Sequence, residues 1–139
     1  MWRYQLRGCL KMLLSVVGVM IVLLPVAVAN VFAFPFATEK ELYLYSPSSQ
    51  ATIKRELTLT DVLFLQGESG RVTDVLSAVL EKYSATVLFQ EKGEGYTSYY
   101  CYSTKLNRSI VLDGKNINLH IVEYDDGLRV GTPIIFGGY

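Results

Sequence analysis

The chain has 139 residues, half of them hydrophobic, and its 13 Lys plus Arg balance 13 Asp plus Glu, so the formal net charge is zero. A nucleic-acid surface needs clustered cations to displace counterions, and the charges here are scattered singly, which argues against nucleic acid as a partner. One His and two Cys supply too few imidazole and thiolate groups for a zinc site, and no cofactor is implied.

The first eleven residues carry Arg3, Arg7 and Lys11 and no acid, and the uncharged block Met12–Leu24 that follows has the length of a signal-peptide core. Pro25 is expected to end or kink the helix, and Ala27-Val28-Ala29 supplies the small residues that a signal peptidase accepts. This pattern predicts a signal peptide over residues 1–29, cleaved after Ala29 with a second site after Ala33, and export across the cytoplasmic membrane to the envelope or cell surface. The opposing reading is an uncleaved anchor. No charge appears between Met12 and Thr38, so the stretch is also long enough to span a bilayer, with Phe32, Phe34 and Phe36 at the interface. Either way residues 12–29 contact the membrane. Cys9 precedes the apolar run, the wrong side for a lipidated cysteine.

The remaining 110 residues suit one domain with one core, and they carry ten basic against thirteen acidic groups. Cys101 is the one cysteine beyond the leader, so no intrachain disulfide braces this part, and a core position for the thiol is expected. Residues 30–50 read as a lead-in with a short strand at Glu41–Tyr45 and a loop at Ser46–Gln50, and residues 51–139 as a single domain. Ile53–Leu59 alternates like a half-buried strand. Val62–Leu65 extends it or begins another, and Gly67-Glu68-Ser69-Gly70 has the composition of a turn.

Val72, Val75, Leu76, Val79, Leu80 and Tyr83 fall on one helical stripe, predicting a helix over Val72–Tyr83 with Thr73 as N-cap, Asp74 at its positive end and Lys82 at its negative end. Thr86–Gln90 and Tyr96–Ser103 form a hairpin across a Gly-containing loop. Ile110–Leu112 meets Ile117–Tyr124 through Asp113-Gly114, and Asp126-Gly127 leads into Leu128–Ile135. The whole predicts an α+β fold: an antiparallel sheet of five or more strands covered on one face by a single amphipathic helix.

Complete catalytic and nucleotide-binding motifs are missing. Glu123, Asp125 and Asp126 could gather at a hairpin tip, but no full Ca²⁺ ligand loop follows, and turn chemistry explains them. Asn107-Arg108-Ser109 matches a glycosylation sequon. The sole pairing that suggests nucleophilic catalysis is Cys101 with His120 on neighbouring strands. His120 should point with Asn118 away from the face of Ile117, Leu119 and Ile121, exposed or bonded at an edge. Tyrosine is the distinctive residue: alternation puts Tyr100 and Tyr102 on one face and Tyr99 on the other. The leading expectation is a non-enzymatic binding domain that contacts a protein or glycan through Tyr99, Tyr100, Tyr102 and His120. The alternatives are an envelope-assembly component pairing through an exposed edge such as Leu128–Ile135, and a Cys101-dependent enzyme.

Residues Tyr99–Leu106, Asn116–Leu119 and Gly131–Ile135 resemble the corresponding region of YwmB-type exported proteins of spore-forming Gram-positive bacteria. The resemblance covers about a third of the chain. It implies a helix on a curved antiparallel sheet, similar to half of a TATA-binding protein, and no established activity. No site residue is carried over from it.

Overall fold

The β-branched and aromatic runs of the second half form strands as their alternation requires, and two-residue turns join them. In the computed structural model these are β4 (Ala85–Gly93), β5 (Tyr96–Ser103), β6 (Ile110–Leu112), β7 (Lys115–Ile117), β8 (Leu119–Tyr124) and β9 (Gly127–Thr132). The structure describes residues 2–29, 32–44, 52–56, 58 and 61–136, with side chains there for all but 2–7, 22–29, 52 and 62. The expected loop at 46–50, the apolar Leu57 and Leu59, and the closing residues 137–139 lie outside the described residues.

Before β4 come helix α1 (Trp2–Ala29), β1 (Thr38–Leu44), β2 (Thr52–Lys54), a 3₁₀ turn (Asp61–Phe64), β3 (Leu65–Val72) and helix α2 (Leu76–Lys82). The chain divides into two compact units, Met1–Phe32 and Ala33–Tyr139. In the first, α1 continues through Pro25 rather than ending there, since a proline ring forfeits one backbone hydrogen bond and the apolar flanks keep the rest. Its described side chains, including Met12, Leu13, Leu14 and Ile21, are exposed. Among the described residues, no helix is long and apolar enough to cross a membrane.

The second unit is α+β. Seven strands pair antiparallel in the order β2-β1-β3-β9-β8-β5-β4, and β6 and β7 form a separate two-stranded sheet. β1, expected in a lead-in, is an integral strand between β2 and β3. β9 is interior, flanked by β3 and β8, so the expected exposed edge at Leu128–Ile135 is corrected: among the described residues the sheet ends at β2 and β4.

Two turns follow their sequence chemistry. Asp113 and Gly114 both take positive φ, 49° and 73°, as a tight two-residue hairpin demands, and Gly95 at φ 79° closes β4 onto β5. The Gly67-Glu68-Ser69-Gly70 stretch departs from expectation, because it lies inside β3. Its glycines serve close approach rather than turning. A Cβ on Gly70 would stand 2.6 Å from the Ala37 Cβ, and one on Gly67 would run into the Thr132 carbonyl and sit 2.9 Å from Pro133 Cδ.

The helix is shorter than its stripe. Val72 closes β3, and α2 starts after Val75, which caps it with extended backbone and no side-chain bond, so Thr73 is not the cap. Val72 faces the same core from a strand as the helix does from above, and for that reason the apolar spacing runs on unbroken. Val79 is buried in one cluster with Cys101, Leu119, Ile121, Leu128 and Val130, joined by Phe34 and Ala37 from the segment before β1, with Leu76, Leu80 and Tyr83 packed alongside. The register puts Tyr99, Ile121 and Val130 on this inner face together with Cys101, Leu119, Glu68 and Leu42. Tyr100, His120, Gly131, Ser69 and Glu41 share the opposite face.

Candidate functional site

The four expected contact residues do not form one surface. His120 is buried at 1% exposure, and its ring stacks on Tyr100 at 4.5 Å between centroids, with Phe89 stacked 4.5 Å beyond. The chain after β9 turns back over this face: the Ile135 N–H donates to His120 Nδ1 at 3.1 Å, and Phe136 packs edge-on against Tyr43. His120 is therefore neither exposed nor at an edge, and Tyr100 is buried with it. Tyr102 alone of the four is exposed. Tyr99 lies on the other face, where its hydroxyl donates to Glu123 Oε2 at 2.8 Å.

The hydrogen bonds of His120 fix its tautomer. Nδ1 accepts a backbone N–H, so the proton of the neutral ring sits on Nε2, which donates to Ser98 Oγ at 2.6 Å. An imidazole protonated there cannot take the serine proton, and both residues are sealed from solvent, so this Ser–His pair is structural. Burial lowers the His120 pKa to about 4. The Cys101–His120 pairing is overturned by register. Cys101 is opposite Leu119 and Tyr100 is opposite His120, which puts the two on different faces. Burial pushes the Cys101 thiol up to about 12, far from a thiolate at neutral pH.

Acidic residues at the β8–β9 turn are engaged locally: Arg71 Nη1 meets Asp126 Oδ2 at 3.1 Å, and Glu123 takes the Tyr99 hydroxyl. No cluster of three potential metal ligands exists among the described residues.

A concave site lies elsewhere, between α2 and the 34–37 segment, with a volume of about 240 Å³. Its floor is apolar, made by Val72, Val79 and Val130, and its walls are Phe34, Phe36 and Tyr83. Thr73, Asp74 and Lys82 supply a polar rim. Phe36 is 80% exposed at this mouth with Lys82 Nζ 4.8 Å from its ring centroid, and Val75 beside the rim is 67% exposed. The Tyr83 hydroxyl donates to the Ala33 carbonyl at 2.9 Å, and its ring meets Phe34 edge-on. Burial, with the nearby Glu68 and Asp74 carboxylates, raises the Tyr83 pKa to about 12, so it stays a neutral donor.

Beneath this segment, Glu68 is 2% exposed and accepts the Phe34 N–H on Oε1. Burial raises its pKa above the ordinary carboxylate value. The sequence reading of residues 67–70 as a turn hid this carboxyl. The available signal was an acid flanked by glycines within an otherwise strand-forming stretch. Comparison with known proteins returns no matching family model, no similar curated protein and no matching solved structure.

Proposed function

We propose that the chain is an exported binding protein of the cell envelope, whose globular unit takes an apolar side chain of a protein partner into the cleft between α2 and residues 34–37. The observation that carries this reading is the cleft itself, where a valine floor, an aromatic wall and a charged rim meet beside two large apolar residues left in solvent. Apolar concavities with a few convergent polar groups are where proteins bind ligands. A protein side chain suits the valine floor better than a glycan, which needs hydroxyl partners. The basic start of the chain and the uncharged block Met12–Leu24 after it support an export leader, and the YwmB-type resemblance agrees with export.

The test is a photo-crosslinking residue at Phe36 in the full chain, expressed in cells. A discrete protein adduct is expected from Phe36 and none from Val111, which is equally exposed on β6. Thr73→Trp, which covers the mouth from an exposed position, should abolish the adduct. Equal adducts from both positions, or an adduct that survives Thr73→Trp, would remove the cleft as the site.

A second reading, strand addition along β4, rests on nine residues that no strand covers on the outer side among the described residues. Its weak point is the bulge between Val87 and Phe89, where Lys115 Nζ reaches the Leu88 carbonyl at 3.2 Å and lies 5.1 Å from the Phe89 ring centroid. A bulge and a lysine are devices that guard an edge. Lys115→Ala should therefore raise self-association in light scattering. An unchanged mass distribution would mean that Lys115 guards nothing.

A further inference from the structure

A second concavity lies around Glu41, on the face of the sheet opposite Val130 and the cleft floor. Glu39, Lys40 and Glu41 from β1, Arg55 just past β2 and Arg129 from β9 line a groove of about 530 Å³, a size that holds small molecules. Every one of these side chains is charged, in contrast to the valine floor of the cleft. We propose that this groove binds the phosphate monoester group of a small molecule or lipid headgroup, with Arg55 and Arg129 as the residues that grip it. The site is separate from the cleft and does not rest on that reading.

The charge balance favours an anion once the ion pairs made within the chain are set aside. Glu41 is paired with Arg129 Nη2, both side chains being half-buried, and Glu39 Oε2 lies 3.5 Å from Arg71 Nε beside the groove. Arg55 and Lys40 are the surplus. Lys40 Nζ donates to the Pro35 carbonyl at 3.0 Å, so it acts on the groove mainly through its field. The exposed Arg55 guanidinium makes no hydrogen bond or ion pair among the described residues, which leaves its whole planar fork for the oxygens of a ligand. Arg129 is held in place beforehand. Its Nη2 also reaches Ser69 Oγ at 3.4 Å, and Ser69 shares a 2.7 Å hydrogen bond with the Tyr43 hydroxyl, so strands β1 and β3 together fix the guanidinium. These bonds use Nη2, and the Nε and Nη1 hydrogens of Arg129 stay available. A surplus of two positive charges matches a phosphate monoester, which carries close to two negative charges at neutral pH, better than a carboxylate with one. The two glutamates bordering the groove disfavour a long polyanion such as nucleic acid, whose further phosphates would lie against them.

The experiment uses the full chain in uncharged maltoside micelles at fixed ionic strength, with the arginine Nε–H signals in NMR as the readout. Inorganic phosphate and glycerol phosphate should move the Arg55 and Arg129 signals saturably, with a dissociation constant in the roughly millimolar range, and acetate should bind at least about tenfold more weakly. Phosphatidic acid mixed into the micelles separates the two sources of the group. A response to the lipid alone assigns a headgroup, and a response to the free phosphates assigns a small molecule. Arg55→Ala, at an exposed position, should weaken binding by about tenfold or more, while Lys92→Ala on the far edge strand β4 should leave it unchanged. Shifts that never saturate with any of the three phosphates, acetate binding as well as phosphate, Arg55→Ala binding like wild type, or an equal loss in Lys92→Ala would each overturn the proposal.

Discussion

Gly67→Ala should lower the melting temperature of the folded unit by more than about 10 °C, a loss of about 3 kcal/mol or more. The cause is contact, not conformation. Gly67 lies in β3 with ordinary φ, and an added methyl would be driven against the Thr132 carbonyl and Pro133, backbone and ring atoms that cannot rotate aside. Gly131→Ala should behave alike, since its Cβ would lie 2.6 Å from Ile135 Cγ1 and 3.0 Å from the Ile135 nitrogen. Both glycines lie under the chain that folds back after β9. Gly95→Ala is the control: it has φ 79° with open space around it, so it should cost only the left-handed strain of about 1 kcal/mol. Differential scanning calorimetry ranks the three, and a Gly67→Ala loss no larger than that of Gly95→Ala would mean that residues 133–136 do not cross the sheet there.

The same crossings explain what could and could not be read from the residues alone. Tyr96–Ser103, the Asp113-Gly114 hairpin and the apolar stripe of α2 were legible because each is set by local rules: alternation, positive φ in a two-residue turn, and helical spacing. The separation of Tyr100 and Tyr102 from Tyr99, and of His120 from Leu119 and Ile121, was legible for the same reason, but which of these faces coincide was not, because it depends on the β5–β8 register that sets Tyr100 against His120. What covers that face was not. Alternation states which residues share a side and says nothing of whether that side meets water or another stretch of chain. Residues 133–135 read as the end of a strand, yet they turn back, and the Ile135 N–H reaches the buried His120 ring. Glycine is ambiguous in a related way, because freedom to turn and room for a crossing backbone leave the same letter. Hence the 67–70 stretch reads as a turn, although it lies inside β3 with Glu68 buried. Asn118 shows a third kind of non-local bond. Its amide pairs with both the N–H and the carbonyl of Ser103 at 2.6 Å, standing in for a backbone partner where β7 passes into β8.

Acid should detach the returning C-terminal segment through His120. Burial depresses the folded-state pKa from 6.5 to about 4, so the unfolded chain binds this proton first. The stabilising contribution is therefore complete above pH 6.5 and is lost as pH falls toward 4, and a shift of this size corresponds to roughly 3 kcal/mol. Two effects compete once the ring is charged. An imidazolium stacked on Tyr100 gains a cation–π attraction worth about 2 kcal/mol when desolvated. Against that stand the cost of a buried charge and the conversion of Nδ1 from acceptor to donor, which turns the Ile135 N–H contact into two donors facing each other. The second pair wins, and the contact that yields is the one held by a short terminal stretch. Amide exchange at Ile135 should accelerate, after correction for intrinsic rates, between pH 6.5 and 4 while amides of β8 stay protected. His120→Gln, which keeps an acceptor for the Ile135 N–H and does not titrate, should flatten the acid limb of the stability curve at some cost in packing against Tyr100. A His120→Gln chain with the wild-type acid limb would place the acid-sensitive group elsewhere.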